Sequence, residues 1–122
     1  MKYLALIHNN PAAWDALPQH ERDDYIRDAE RFLEQIAETG ELVSEAVVLA
    51  HAETAKIVRI RNGLPAITDG PFAESKEQFA GYYALDCESM ERAIEIVSGD
   101  PSVRYFAVEV RPVMKTSGDG DL

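Results

Sequence analysis

The stretch PQHERDDYIRDAERFLEQIAETG, residues 18–40, decides the architecture. Tyr25, Ala29, Phe32 and Ile36 recur at helical spacing, with Ile26, Leu33 and Ala37 beside them. That period gives one apolar stripe on an otherwise charged cylinder. Pro18 suits a first helical turn, because its missing N–H would be unpaired there anyway. Gly40 suits the stop, because it tolerates the left-handed conformation that ends a helix. The spacing predicts a helix over about residues 18–39. Its opposite face, with Arg22, Asp23, Arg27, Glu30, Arg31 and Glu34, is a solvated mixed-charge face.

Strand signals lie on both sides of this helix. Residues 2–8 are apolar on both faces, which predicts a central strand, ended by Asn9, Asn10 and Pro11. Residues 9–17 read as a loop, with Trp14 placed as a cover over the core in preference to a cleft wall. Residues 42–50 and 54–61 read as strands joined by His51, Ala52 and Glu53. Asn62-Gly63 is a tight-turn signal leading into a short return strand, 66–68. Residues 79–86 form the next strand. Asp86 is a candidate N-cap for a helix whose stripe is Met90, Ala93, Ile94 and Val97, ended by Gly99 and Pro101. Residues 103–110 form the last strand. The domain runs over 1–114, and residues 115–122 read as a polar, frayed tail. Two strand–helix–strand units predict an α+β, ferredoxin-like antiparallel sheet with two helices on one face. The other face then exposes apolar side chains, which predicts a homodimer packed sheet to sheet.

Composition narrows the function classes. The chain has 122 residues, 46% of them hydrophobic, enough for one domain with its own core. A net charge of −10 opposes direct nucleic-acid binding. Cys87 is the only cysteine, which excludes an internal disulfide and fits a reducing, cytoplasmic compartment. No run reaches the roughly 18 apolar residues a membrane span needs. The opening residues read as a strand, since they lack a long apolar run and a small-residue cleavage site. His8, His20 and His51 are scattered without a metal-ligand spacing, so no metal and no cofactor is expected.

The densest chemistry lies in Thr68-Asp69-Gly70-Pro71-Phe72-Ala73-Glu74-Ser75-Lys76-Glu77. Asp69 is placed either to cap its own turn or to act as a general base at a pocket mouth. Phe72 reads as a core plug. Glu74, Lys76 and Glu77 can pair locally, and Glu74 and Lys76 can also contact a ligand. Arg59 and Arg61 share one strand face, from which they can meet an anionic ligand or pair with Asp69 across the hairpin. His51, in a turn, is the candidate partner acid or base.

The run from Thr68 to Gln78 closely resembles the signature of the DGPF-domain proteins of the YCII-related family. Met1 to Ile7, the Thr54–Arg59 strand, Gly81-Tyr82-Tyr83 and Val108-Glu109-Val110-Arg111-Pro112 fit as well, so the likeness spans about residues 1–113. The resemblance implies a ferredoxin-like dimeric α/β barrel in a small bacterial cytosolic protein. It also implies a cleft bearing a His–Asp pair in YCII-like relatives, and a link between some DGPF proteins and sigma factors. Arg27 or Asp28 stands where that histidine would fall, so only Asp69 carries over. The leading expectation is a polar cleft near residues 69–77 that binds a small anionic molecule, with proton-transfer or lyase-type chemistry. The alternative is a non-catalytic module that acts on sigma-factor-dependent transcription.

Overall fold

The structure, a computed structural model, describes residues 1–72 and 76–114. Strand β1 (Lys2–Asn9) is followed by helices α1 (Pro11–Ala16) and α2 (Gln19–Glu38) and by a short strand β2 (Val47–Val48). A one-turn 3₁₀ segment at Ala52–Thr54 leads into the hairpin β3 (Lys56–Arg61) and β4 (Leu64–Asp69). Strand β5 (Gln78–Asp86), helices α3 (Met90–Val97) and α4 (Ser102–Tyr105) and strand β6 (Ala107–Pro112) complete the chain.

The main sheet has four strands in the order β2-β5-β1-β6, and β1 pairs antiparallel with both β5 and β6. With the β3–β4 hairpin set aside, this is the ferredoxin-like strand order. The central position of β1 is the one predicted from its two apolar faces. Tyr3 and Ala5 of β1 and Tyr83 and Leu85 of β5 point to one face. There they share a core with Phe32 and Ile36 of α2 and Ala93, Ile96 and Val97 of α3. Both long helices therefore cover the same face. Gly40 has φ of +80°, the left-handed residue expected after α2.

Several local expectations are corrected by hydrogen bonds that the sequence pattern did not reveal. Residues 11–16 form a helix because the Asn10 side chain accepts from the Ala13 N–H at 3.1 Å and Pro11 opens the first turn. Ser89, not Asp86, caps α3, accepting from the Arg92 N–H at 3.1 Å. Asp86 instead ends β5 and receives the N-terminal ammonium at 3.1 Å. The last strand starts at Ala107 because the Asp100 carboxylate takes the Ser102 N–H at 2.8 Å and turns the chain into α4. The predicted strand 42–50 pairs with the sheet in two short pieces: Leu42 bridges to Leu85 and the Val43 N–H donates to the Ala84 carbonyl at 3.1 Å, then Val47–Val48 form β2 and the Leu49 N–H donates to the Ala80 carbonyl at 2.8 Å. The Val47 carbonyl approaches so closely that a side chain at Gly81 would lie 2.4 Å from it. The predicted start at Thr54 is instead a 3₁₀ turn, closed by Thr54 Oγ1 donating to the His51 carbonyl at 2.7 Å.

The β3–β4 hairpin forms a separate two-stranded sheet. Asn62 and Gly63 both have positive φ, at 52° and 77°, as a tight hairpin turn demands. That turn fixes the register at Lys56 opposite Asp69 and Val58 opposite Ile67. Val58, Ile60, Leu64 and Ile67 are all exposed. Phe72, expected in the core, is 79% exposed. Its ring instead carries the Arg59 guanidinium 5.4 Å from its centroid.

Candidate active site

Between α2 and the helix-covered face of the sheet lies an open cavity of about 420 Å³. Ile7, Gly81 and Tyr83 line it from the sheet, and Ile26, Phe32 and Leu33 from α2. Val47 and Val48 of β2 and Glu30 of α2 also line it, and these three are exposed. Trp14, Tyr25 and Phe106 form an aromatic wall. Tyr25 meets Trp14 edge-on at 5.4 Å and Phe106 at 5.8 Å, an arrangement that satisfies the ring quadrupoles. Trp14 is therefore not simply a core cover. It is held by α1 so that one ring serves both packing and cavity.

Asp100 and Ser102 supply polar groups to the lining. They are buried at 3% and 1% exposure, at the junction of α3 and α4. The Tyr83 hydroxyl donates to Asp100 Oδ2 at 2.8 Å, and the Ser102 N–H donates to Oδ1 at 2.8 Å. Tyr25 Oη and Ser102 Oγ share a hydrogen bond of 2.7 Å. Burial pushes the Tyr83 phenol far up from its usual 10.0, and the adjacent Asp100 carboxylate pushes it further. Burial also raises Tyr25, an effect the Ser102 bond partly offsets and Asp100 reinforces. Both phenols are therefore protonated at neutral pH. A buried carboxylate, held by one donor on each oxygen and facing an apolar cavity, can accept a proton or orient a donor group.

The residues singled out from sequence lie elsewhere. Asp69 is 83% exposed and pairs with Lys56, its register partner, rather than with Arg59 or Arg61. Arg61 and Lys76 are exposed, and Glu74 falls outside the described residues. His51 is exposed, and its Nδ1 accepts from the Glu53 N–H at 3.1 Å. It borders a smaller cleft of about 220 Å³, also lined by Asn9, Asp15 and Gln78. None of Asp69, Arg59, Arg61 and Lys76 lines either space. Among the described residues no three His, Cys, Asp or Glu side chains group as a metal site. No helix of the described residues is long and apolar enough to cross a membrane.

Sequence reasoning missed the grouping of Tyr25, Tyr83, Asp100 and Ser102, because Gly99-Asp100-Pro101 reads as a helix stop and the two tyrosines read as apolar packing positions. One signal was available: Tyr83 sits on the core face of its strand, and a buried phenol needs a hydrogen-bond partner.

Comparison with known proteins agrees with this architecture. The model of the YCII-related domain matches residues 1–117. An uncharacterized protein of Rhizobium meliloti (strain 1021) is 31% identical over 117 residues, covering 93% of this chain and 92% of that protein. A solved structure with a similar fold is 5-chloro-2-hydroxyhydroquinone dehydrochlorinase from Burkholderia phenoliruptrix AC1100, in complex with 2,5-dihydroxybenzoquinone. It superposes with a TM-score of 0.56 at 16% identity, over 98% of this chain and 100% of that one.

Proposed function

The chain belongs to the YCII-related domain family, and from that premise we propose that it binds a small molecule in the α2–sheet cavity and acts on it by proton transfer of lyase type. The observation that carries this reading is the buried Asp100 carboxylate facing an apolar space large enough for a single substituted ring. In this reading Asp100 takes the proton. The Tyr83 hydroxyl keeps the carboxylate aimed, and the Tyr25–Ser102 hydroxyl pair offers a hydrogen bond to the departing group, which leaves as the anion with the bonding electron pair. A similarly folded protein is by name a dehydrochlorinase, and loss of a proton with chloride requires a base. The test is chloride release from chlorinated hydroquinones. Asp100→Asn is expected to lower the rate by about 100-fold or more, the scale of general-base catalysis. A variant that keeps its rate overturns the assignment. A site at the 69–77 loop, using Asp69 with His51, Arg59, Arg61 or Lys76, is the competing placement. It predicts the reverse, with loss in Asp69→Asn and none in Asp100→Asn.

A second reading concerns assembly. Val58, Ile60, Pro65 and Ile67 share one exposed face of the hairpin, with the Lys56–Asp69 pair at its end, and a two-stranded sheet is marginal unless covered. Leu4, Leu6, Tyr82 and Ala84 lie together on the sheet face away from the helices. These surfaces favour a homodimer closing a barrel sheet to sheet. Light scattering is expected to give twice the chain mass, lost in Ile60→Asp. A monomeric wild-type mass leaves the hairpin to a protein partner such as a sigma factor, and pull-down would then detect it.

A further inference from the structure

Resting on the reading of the cavity as a ligand site, we propose that it selects uncharged ring compounds bearing a hydroxyl or N–H donor. It excludes their carboxylated, anionic analogues.

Among the described residues, the ionisable side chains that line the cavity are Glu30, Asp100, Tyr25 and Tyr83, with no lysine, arginine or histidine. Arg22 stacks on Trp14, 5.9 Å from its ring centroid, but is turned to the Leu17 and Asp15 carbonyls at 3.1 and 3.0 Å. Arg104 is paired with Asp28 at 3.3 Å. An entering carboxylate would therefore shed its hydration beside Glu30 and a buried acid, with no cation in the lining to receive it. The chain's net charge of −10 adds to the same repulsion.

The same geometry creates a demand for a donor. An ionised carboxylate offers about four acceptor positions. In Asp100, Tyr83 fills one on Oδ2 and the Ser102 N–H one on Oδ1. A ligand hydroxyl or N–H fills a further position, while the ring packs against Trp14, Tyr25 and Phe106. A ring without a donor would displace water from a buried charge and give nothing back. The earlier expectation of an anionic ligand rested on Arg59 and Arg61, which do not line this space.

Trp14 is the only tryptophan, so its indole N–H gives one resonance that reports from the cavity wall. The full chain, labelled with nitrogen-15, would be titrated with 4-hydroxybenzyl alcohol, 4-hydroxybenzoate and 4-methylanisole. The alcohol is expected to move the Trp14 resonance with a Kd at least about tenfold below those of the acid and the donorless ether. In Glu30→Lys, 4-hydroxybenzoate is expected to gain several-fold on the alcohol. Binding of 4-hydroxybenzoate as tightly as the alcohol overturns the selectivity while leaving a ligand site in place. If no probe moves the Trp14 resonance, the ligand-site reading falls and this inference with it.

Discussion

Replacing Tyr83 with phenylalanine isolates the bond on which the candidate site depends. The ring stays in its place, packed against Phe32 at 5.8 Å between centroids. Only the hydroxyl is lost, and with it the 2.8 Å donor to Asp100 Oδ2. Both partners are buried, at 1% and 3% exposure, so water cannot readily replace the donor. A hydrogen bond to a buried charged acceptor is worth about 1.5–3 kcal/mol, which sets the expected loss at about 2 kcal/mol. With a urea slope of about 2 kcal/mol per molar for a domain of this size, the unfolding midpoint falls by about 1 M. The assay is urea unfolding followed by circular dichroism at neutral pH, on Tyr83→Phe, Asp100→Asn and the double variant. In the Asp100→Asn background the Tyr83 change should cost about half as much, since the charge is gone. A second signature is alkaline. Tyr83 has its folded pKa raised above 10.0, so the stability it adds is complete below that pH and is lost as pH rises beyond it. Tyr83→Phe should flatten that alkaline decline. A single-variant cost below about 0.5 kcal/mol, or equal costs in both backgrounds, would refute the reasoning.

Three further outcomes are expected. Gly81→Ala places a Cβ 2.4 Å from the Val47 carbonyl, so β2 must shift at a cost of about 1–3 kcal/mol, read by thermal unfolding. An unchanged midpoint would show that β2 moves freely. Ser89→Ala removes the α3 cap, with an expected loss of about 1 kcal/mol in the same experiment. Glu41 takes two bonds from Arg92, at 2.7 and 2.9 Å, which hold its carboxyl at about 2, below its usual 4.5. Its contribution is thus present above pH 4.5 and lost as pH falls toward 2. Glu41→Gln should be less stable at neutral pH and lose less between those two values, unless the pair is fully screened.

Much of the fold was legible because its signals are local and repeated. The stripe of Tyr25, Phe32 and Ile36, the left-handed Gly40 and the Asn62-Gly63 turn each impose a backbone choice within a few residues. Errors fell where a single side chain or edge contact decided the outcome. Asn10 made a helix of an expected loop, and Ser89 displaced Asp86 as a cap. Phe72 left the core for the face of Arg59. Polar density in the sequence also does not fix a side chain's partner. The 69–77 loop concentrates charge in sequence, yet Asp69 spends its carboxylate on Lys56 in solvent.

The sequence by itself determined the order of the main strands and the two longer helices, the central place of β1 and the family, since periodicity and turn chemistry act over short spans. Only the tertiary structure decided where the candidate site lies. Tyr25, Tyr83, Asp100 and Ser102 come from two helices, a strand and the turn between α3 and α4, and no spacing in the chain relates them. What joins them is the cost of burying a polar group unpaired. That cost acts only once the sheet and helices have closed over it, bringing the Tyr83 hydroxyl to within 2.8 Å of the Asp100 carboxylate.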